Sequence, residues 1–304
     1  MMSKKQCIGC TVAAVFLMAL TGCAHTDRLQ LANELRFSLT DISDVTISYD
    51  EELVTFFEAD GEELVVREYM TKDKERYHAD VKESGGSVHV SEGGKPLLDR
   101  GFSRYVEVYL PASYRESLTV TTTDGSIDMG EVDLRLSALR VDSTSGTVTI
   151  SRAAASELHL SSTSGTLKLG SIEADRIKLE TTSGKVACDA LTGNVTYTST
   201  SGSAEIKGAR GCGSYKAENS GRLDVVYTEV TGDLYFFNKN DSVRLTVPAG
   251  LDFNFEAAAK NGSVKTSFQE RLAVSGDTVR AAVGSDPSVE IKVETRNGNI
   301  EVIR

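Results

Sequence analysis

Cysteine is scarce in this chain, and its placement excludes a disulfide-built scaffold: of five cysteines in 304 residues, Cys7 and Cys10 fall in an N-terminal leader, Cys23 closes it, and only Cys188 and Cys212 remain. A Cys188–Cys212 disulfide stays open only if the glycine-rich stretch between them shifts one coil against the next. Histidine is as sparse. His25, His78, His89 and His159 show no zincin spacing, and no cysteine cluster could complete a metal site. No metal and no cofactor are expected, and no glycine-rich phosphate loop of the Walker kind is present. Long runs of like charge are missing too, so the acidic balance reads as a solvated surface and not a docking tail.

Long apolar runs are confined to residues 8–20, which follow Lys4 and Lys5. That stretch is short of the ~20 residues a spanning helix needs, and a basic start with a short apolar core reads as a secretory signal. Leu20-Thr21-Gly22-Cys23 then resembles the lipobox of bacterial lipoproteins. The resemblance implies that residues 1–22 are a lipoprotein signal peptide and that Cys23 carries the lipid. Residues 23–40 would form the lipidated N-terminus and a tether, centred on 24–33. Two or more acyl chains hold a protein stably on a membrane surface without spanning it. Removing Lys4 and Lys5 takes the formal charge from −11 to −13 over the remaining 282 residues (304 minus 22). A surface of that sign repels nucleic acid and anionic headgroups, so no nucleic-acid partner is expected and the body should stand off the membrane.

What the chain does have is a repeat. Turn residues Gly125, Gly146, Gly165, Gly184, Gly202, Gly221, Asp241 and Gly262 follow one another at 18 to 21 residues, and Gly298 repeats the pattern. Two and four residues after each turn come apolar positions such as Ile127 and Met129, Val148 and Ile150, Leu167 and Leu169, Val186 and Cys188. Five and seven before it come Val120 and Leu118, Val141 and Leu139, Leu160 and Leu158, Leu179 and Ile177. A spacing of two is the strand period, so each unit supplies a strand on either side of the turn with one buried face. One unit cannot close a core, whereas stacking at about 4.8 Å gives a continuous apolar interior. The fold class expected is all-β, a parallel β-solenoid or β-roll of about nine rungs of 18–21 residues with a degenerate β-rich cap. Residues 111–304 are the regular repeats, and 41–110 are their worn N-terminal part. The turn glycines are expected to adopt left-handed backbone.

Three local departures carry their own expectations. Before Gly221 the inward positions hold Lys216 and Ser214, so a one-residue slip, read as a bulge among Gly208, Gly211 and Gly213, would return Tyr215 and Ala217 to the interior. Pro111 and Pro248 each lie 14 residues before a turn glycine and are expected to mark corners where a strand begins. Gly86, with Val88 and Val90 after it, fits the template imperfectly, and 45–49, 53–57, 64–69 and 105–110 are strand candidates.

The run Tyr109-Leu110-Pro111-Ala112, then Leu118-Thr119-Val120-Thr121-Thr122-Thr123-Asp124-Gly125-Ser126-Ile127 and recurrent Ser-Thr-Ser-Gly units, resembles the bacterial putative-adhesin β-solenoid proteins. The resemblance covers about residues 41–304 and implies a surface-exposed solenoid of unknown function, some relatives being encoded beside envelope-stress genes. It transfers no catalytic residue.

The chemistry the sequence offers is thin. Arg176-Ile177-Lys178 matches the Arg-x-Lys of β-helical pectin-degrading enzymes, but Ile177 points inward and both bases read as solvated. Asp142, Asp175 and Asp189 occupy different template positions and form no acidic cluster. A hydroxyl ladder of Thr144, Thr163, Thr182 and Thr200 beside Ser145, Ser164, Ser183, Ser201 and Ser220 reads as backbone satisfaction at a repeated corner and not an ice- or glycan-binding array. The expectation is a non-enzymatic, lipid-anchored, extracytoplasmic binding or adhesin-like module on a bacterial envelope, with an envelope protein or polysaccharide as partner. The alternatives are an envelope-stress accessory that modulates a membrane protein and, third, a carbohydrate-active enzyme.

Overall fold

The computed structural model describes residues 28–96, 101–268, 270 and 272–304. The leader and Cys23 lie outside them. The N-terminal part supplies β1 (Gln30–Ser38), β2 (Asp44–Ser48), β3 (Leu53–Ala59), β4 (Glu63–Met70), β5 (Asp80–Ser84), β6 (Ser87–Ser91), β7 (Arg104–Pro111) and β8 (Ser117–Thr122). The body follows as β9 (Ser126–Ser143), β10 (Thr147–Ser162), β11 (Thr166–Thr181), β12 (Lys185–Ser199), β13 (Ser203–Ala217) and β14 (Leu223–Asn238). The C-terminal part holds β15 (Val243–Thr246), β16 (Phe253–Ala259), β17 (Val264–Thr266), β18 (Ala273–Ser275), β19 (Thr278–Val283), β20 (Val289–Thr295) and β21 (Ile300–Ile303).

The period-two columns place these strands. Along β9 to β14 each strand pairs in parallel with the next, matching Val148 to Leu167, Leu167 to Val186 and Val186 to Ala204. Ile127, Val148, Ile150, Leu167, Val186 and Leu179 are 0 to 1% exposed, and each such side chain contributes about 1.5–3 kcal/mol when taken from water. The sequence therefore builds a parallel β-solenoid with its core inside the coil. Each body strand runs from one sharp corner to the next, and its middle adds an inward column that the four-column template omits: Leu134, Ala153, Ile172, Leu191 and Ala209. Alanine in that column is too weakly apolar to stand out in a periodicity count.

The corners work differently from the expectation. Among the turn glycines only Gly221 has positive φ, at 112°, and no non-glycine residue in the described chain does. Glycine is required instead by stacking. A Cβ on Gly146, Gly165, Gly184, Gly202 or Gly221 would run into the backbone carbonyl of the turn glycine one coil earlier. Gly86 is no coil corner at all: Gly85 and Gly86, at φ 57° and 83°, turn the antiparallel β5–β6 hairpin, as a two-residue turn with two positive φ angles does.

The slip before Gly221 is real but sits elsewhere. Tyr215 and Ala217 are fully buried, and β12 and β13 keep one offset throughout, Tyr197 facing Tyr215 and Ser199 facing Ala217. The extra residue falls in the corner between Ala217 and Leu223, while the true bulge lies on β14, where Gly213 faces Leu234 but Gly211 faces Val230. Both prolines close strands rather than open them. Pro111 ends β7 and Pro248 follows β15, and each carbonyl accepts the same turn bond, from Tyr114 N at 3.0 Å and Leu251 N at 3.1 Å.

Both ends of the stack depart from chain order. The coil of β2 and β3 lies between the β6–β7 coil and the β8–β9 coil, since β2 pairs with β6 and β8, and β3 with β7 and β9. The coil of β20 and β21 lies between the β14–β15 coil and the β16–β17 coil. The C-terminal strand is thus covered on both edges by its own chain. Antiparallel strands finish the stack, β1 and β4 at one end and β18 and β19 at the other, which is how a solenoid blunts its open edges. Residues 30–38, assigned from sequence to the tether, are therefore strand β1: the apolar members Leu35 and Phe37 meet Val66 and Leu64 of β4.

Candidate functional site

The residues considered for catalysis do not converge. Arg176 pairs with Glu157 and Lys178 with Glu180 at 2.8 Å, both bases standing more than half exposed. Asp142 is held by Arg140 at 2.6 Å, and Asp189 by Lys207 at 2.8 Å on another part of the coil. His159 points outward as expected, taking a bond from Arg140 at Nδ1 (3.0 Å) and giving one from Nε2 to Glu180 (2.7 Å). Cys188 and Cys212 are free thiols: Cys188 is buried between Leu169 and Ile206, whereas Cys212 faces Asn194. Burial pushes the Cys188 thiol up to about 12. Among the described residues no group of His, Cys, Asp and Glu could hold a metal ion, and no helix is long and apolar enough to cross a membrane.

Backbone satisfaction at the corners is shared between the Thr/Ser pair, where Ser145 and Ser164 donate to the Thr123 and Thr144 carbonyls one coil earlier at 3.5 and 3.3 Å, and a column one residue before the pair. Thr122, Ser162 and Thr181 are buried and accept the turn-glycine N–H at 3.0, 3.0 and 2.6 Å; Ser199 and Thr295 instead donate to the turn carbonyl. Outside them the ladder continues in amide form. Asn219, Asn240, Asn297 and Asn261 pass hydrogen bonds from coil to coil at 3.1, 2.6 and 2.8 Å. Such ladders satisfy each amide on the coil above and below, as in stacked cross-β assemblies.

The N-terminal cap holds a buried charge cluster that the sequence reading missed. Arg104, its side chain fully buried, donates to the carbonyls of Tyr77 (2.7 Å) and Gly94 (3.1 Å) and faces Glu52 at 3.5, Glu92 at 3.2 and Glu68 at 3.6 Å. Glu68 accepts from Tyr49, Asn33 and the Ala79 backbone, and Lys95 joins from the solvent side through Glu92 at 2.7 Å. Burial, then the Glu92 charge, holds the Glu52 carboxyl above its ordinary range. Burial pushes Glu92 the same way, but bonds from Lys95 and the Asp50 N–H prevail and hold it low. The signal was strand parity: Glu68 shares the inward face of Leu64, Val66 and Met70, and Arg104 that of Val106, Val108 and Leu110. Charges at inward positions require partners.

On the outer face of the same cap lies an aromatic field. Phe57 stacks on Tyr109 at 5.3 Å and Tyr69 packs tilted against Tyr105 at 5.9 Å, with the Arg67 guanidinium 4.8 Å from the Tyr109 centroid. Glu107 sits between the two pairs and accepts from both Tyr69 and Tyr109 at 2.9 Å. Burial and the Glu107 bond push the Tyr69 phenol up to about 12. Farther along, the outer surface becomes hydroxyl-bearing and charged, its side chains aligned in rows such as Thr147, Thr166, Lys185 and Ser203.

A parallel β-solenoid with stacked glycine corners, hydroxyl and amide ladders and hairpin-closed ends is the class that fold and site define. The chain belongs to the Toastrack DUF4097 family, whose model matches residues 42–303. Among solved structures it is similar to a putative cell adhesion protein from Clostridium sporogenes, at 11% identity over 91% of this chain and 99% of that one, TM-score 0.25. It is also similar to a putative lipid binding protein from Parabacteroides distasonis (13%, 90% and 96%, TM-score 0.45) and a putative adhesin from Bacteroides fragilis (12%, 89% and 96%, TM-score 0.38). Among curated proteins, none matches the chain.

Proposed function

We propose that the protein is a non-catalytic surface module, held to a bacterial envelope membrane through lipid on Cys23, that presents the outer face of its coils to an envelope protein or polysaccharide. The observation that carries this reading is the register of the outward side chains. Thr147, Thr166, Lys185 and Ser203 follow one another across paired strands at about 4.8 Å, as do His159, Lys178, Thr196 and Ser214. A long polar surface of this kind, with its side chains in register, suits an extended ligand, the way solenoid faces serve as binding surfaces. The leader motif supplies the placement, since the small-residue junction Leu20-Thr21-Gly22 precedes the cysteine that would be acylated.

The test is recovery from native membranes with the full chain as bait and a charge-matched control protein beside it. A recovered polysaccharide or adhesive partner lost on reversing the Lys178 and Lys185 charges supports the reading. Reproducible capture of one membrane protein with signalling chemistry would move the assignment to an envelope-stress accessory. Turnover of a glycan substrate would replace it with an enzyme.

A further inference from the structure

The outer surface of the coils changes character along a single row, and the change falls where the chain emerges from the N-terminus. Starting at edge strand β1, the row reads Leu31, Tyr69, Tyr105 and Leu53, each paired with the next across β1, β4, β7 and β3. It then continues as Ser126, Thr147, Thr166, Lys185 and Ser203. Leu31 and Leu53 are 50% and 44% exposed, and Leu29, just before β1, is 47% exposed. Three of the five large exposed hydrophobic residues in the described chain therefore gather at this one end. A second row, Val65, Tyr109 and Phe57, runs parallel to the first, with Arg67 and Glu107 between them.

The leash is short. Strand β1 begins at Gln30, so seven residue steps separate it from Cys23, and even a fully extended chain covers only about 25 Å over that distance. Resting on the reading that Cys23 is lipidated, we infer that this cap face docks on the bilayer interface, with Leu29, Leu31, Tyr69, Tyr105 and Leu53 against the headgroup and upper acyl region. Tyrosine is suited to that layer, because its ring is apolar and its hydroxyl polar. The net charge acts against this contact, since residues 28–96 carry sixteen acidic against eight basic side chains, but the cap members of the row, Leu31, Tyr69, Tyr105 and Leu53, are themselves uncharged.

The chain contains no tryptophan, so single substitutions report without background. The experiment places Leu31→Trp, Leu53→Trp and, at the opposite end on β18, Val274→Trp (69% exposed) in the full lipidated chain. Each is purified from membranes and reconstituted in phosphatidylcholine vesicles carrying brominated lipid. The expected result is blue-shifted emission and severalfold stronger bromine quenching at positions 31 and 53 than at 274. Equal quenching at all three positions, in protein that floats with the vesicles, overturns the docking inference and leaves the anchor intact. Mass analysis of the N-terminal peptide tests the anchor separately: a Cys23 without diacylglycerol overturns the anchoring reading and this inference with it. A Leu53→Trp signal that ignores lipid but responds to envelope glycan or to a protein partner overturns the inference and assigns the face to that occupant.

Discussion

Gly298 lies against the backbone carbonyl of Asp241, and Gly262 lies in turn against that of Gly298, so the last coil in the chain is inserted between two that precede it. The consequence is that β21 is an interior strand, bonded to β15 on one side and β17 on the other. Its inward residues Ile300 and Val302 are 1% and 0% exposed. Removing residues 299–304 should therefore disconnect β17 and expose the Phe253, Phe255 and Phe268 cluster that closes this end. Ile300→Ala alone should cost about 2–5 kcal/mol. The urea midpoint, followed by far-ultraviolet circular dichroism, measures both; a truncated chain that melts like the parent would show that the insertion carries no stability.

The glycine corners give a sharper contrast. In Gly165→Ala the new methyl meets the Gly146 carbonyl, flanked by the Ser145 carbonyl and the Ser162 hydroxyl, and two of those three groups are backbone that cannot swing aside. Forcing coils apart at one corner should cost about 1–3 kcal/mol, as overpacking does. Gly61→Ala is the control: it has open space and no positive φ, so the loss of unfolded-state freedom should leave it neutral or stabilise it by about 0.4–1 kcal/mol. Equal midpoints for the two variants would contradict the stacking account.

These corners also show how far the sequence could be read. Column positions such as Val148, Leu167 and Val186 were legible because side chains alternate with a fixed period and the turn residues recur at a near-constant spacing. The spatial order of the final coils was not, because Asn261-Gly262 and Asn297-Gly298 present the same corner and stacking accepts either next to Asn240-Asp241. The reason for glycine was misread as backbone angle because sequence carries no trace of how near the neighbouring coil comes. Arg104 and Glu68 were legible in principle from strand parity, but their partners Tyr77, Gly94 and Glu92 come from irregular segments that no period announces.

Arg104 is the centre of the cap cluster, and its removal should be felt beyond the ion pairs. Arg104→Met leaves Glu52, Glu68 and Glu92 around an apolar side chain and frees the Tyr77 and Gly94 carbonyls, at a cost of about 3–5 kcal/mol for breaking a buried charge group. Arg104→Lys should recover little, since one ammonium cannot reach two carbonyls and three carboxylates in this fan. Limited proteolysis in the segment around Glu75–Tyr77 should accelerate in both variants before the coils themselves unfold. Protection as in the parent would show that the segment is held by packing of Tyr77 against Phe102 instead.

Acid should loosen the opposite face of the cap through Glu34. Its carboxyl is held below the ordinary range first by the hydrogen bond from Arg67 (2.7 Å) and then by that from Arg36 (2.8 Å). A carboxylate lowered in the folded state stabilises that state above its unfolded value of 4.5, and the contribution disappears as pH falls through the lower folded value. The difference in urea midpoint between the parent and Glu34→Gln should accordingly be largest near neutrality and shrink below pH 4.5, modestly, because the pair is solvent-screened. Glu52 works in the other direction: its carboxyl is held high by burial, so its ionisation weakens the fold as pH rises through that raised value, and Glu52→Gln should gain on the parent toward neutral pH. Measured together, the two differences must slope in opposite senses across the acid range; parallel slopes would mean that the charges of β1 and of the Arg104 cluster are not arranged as described.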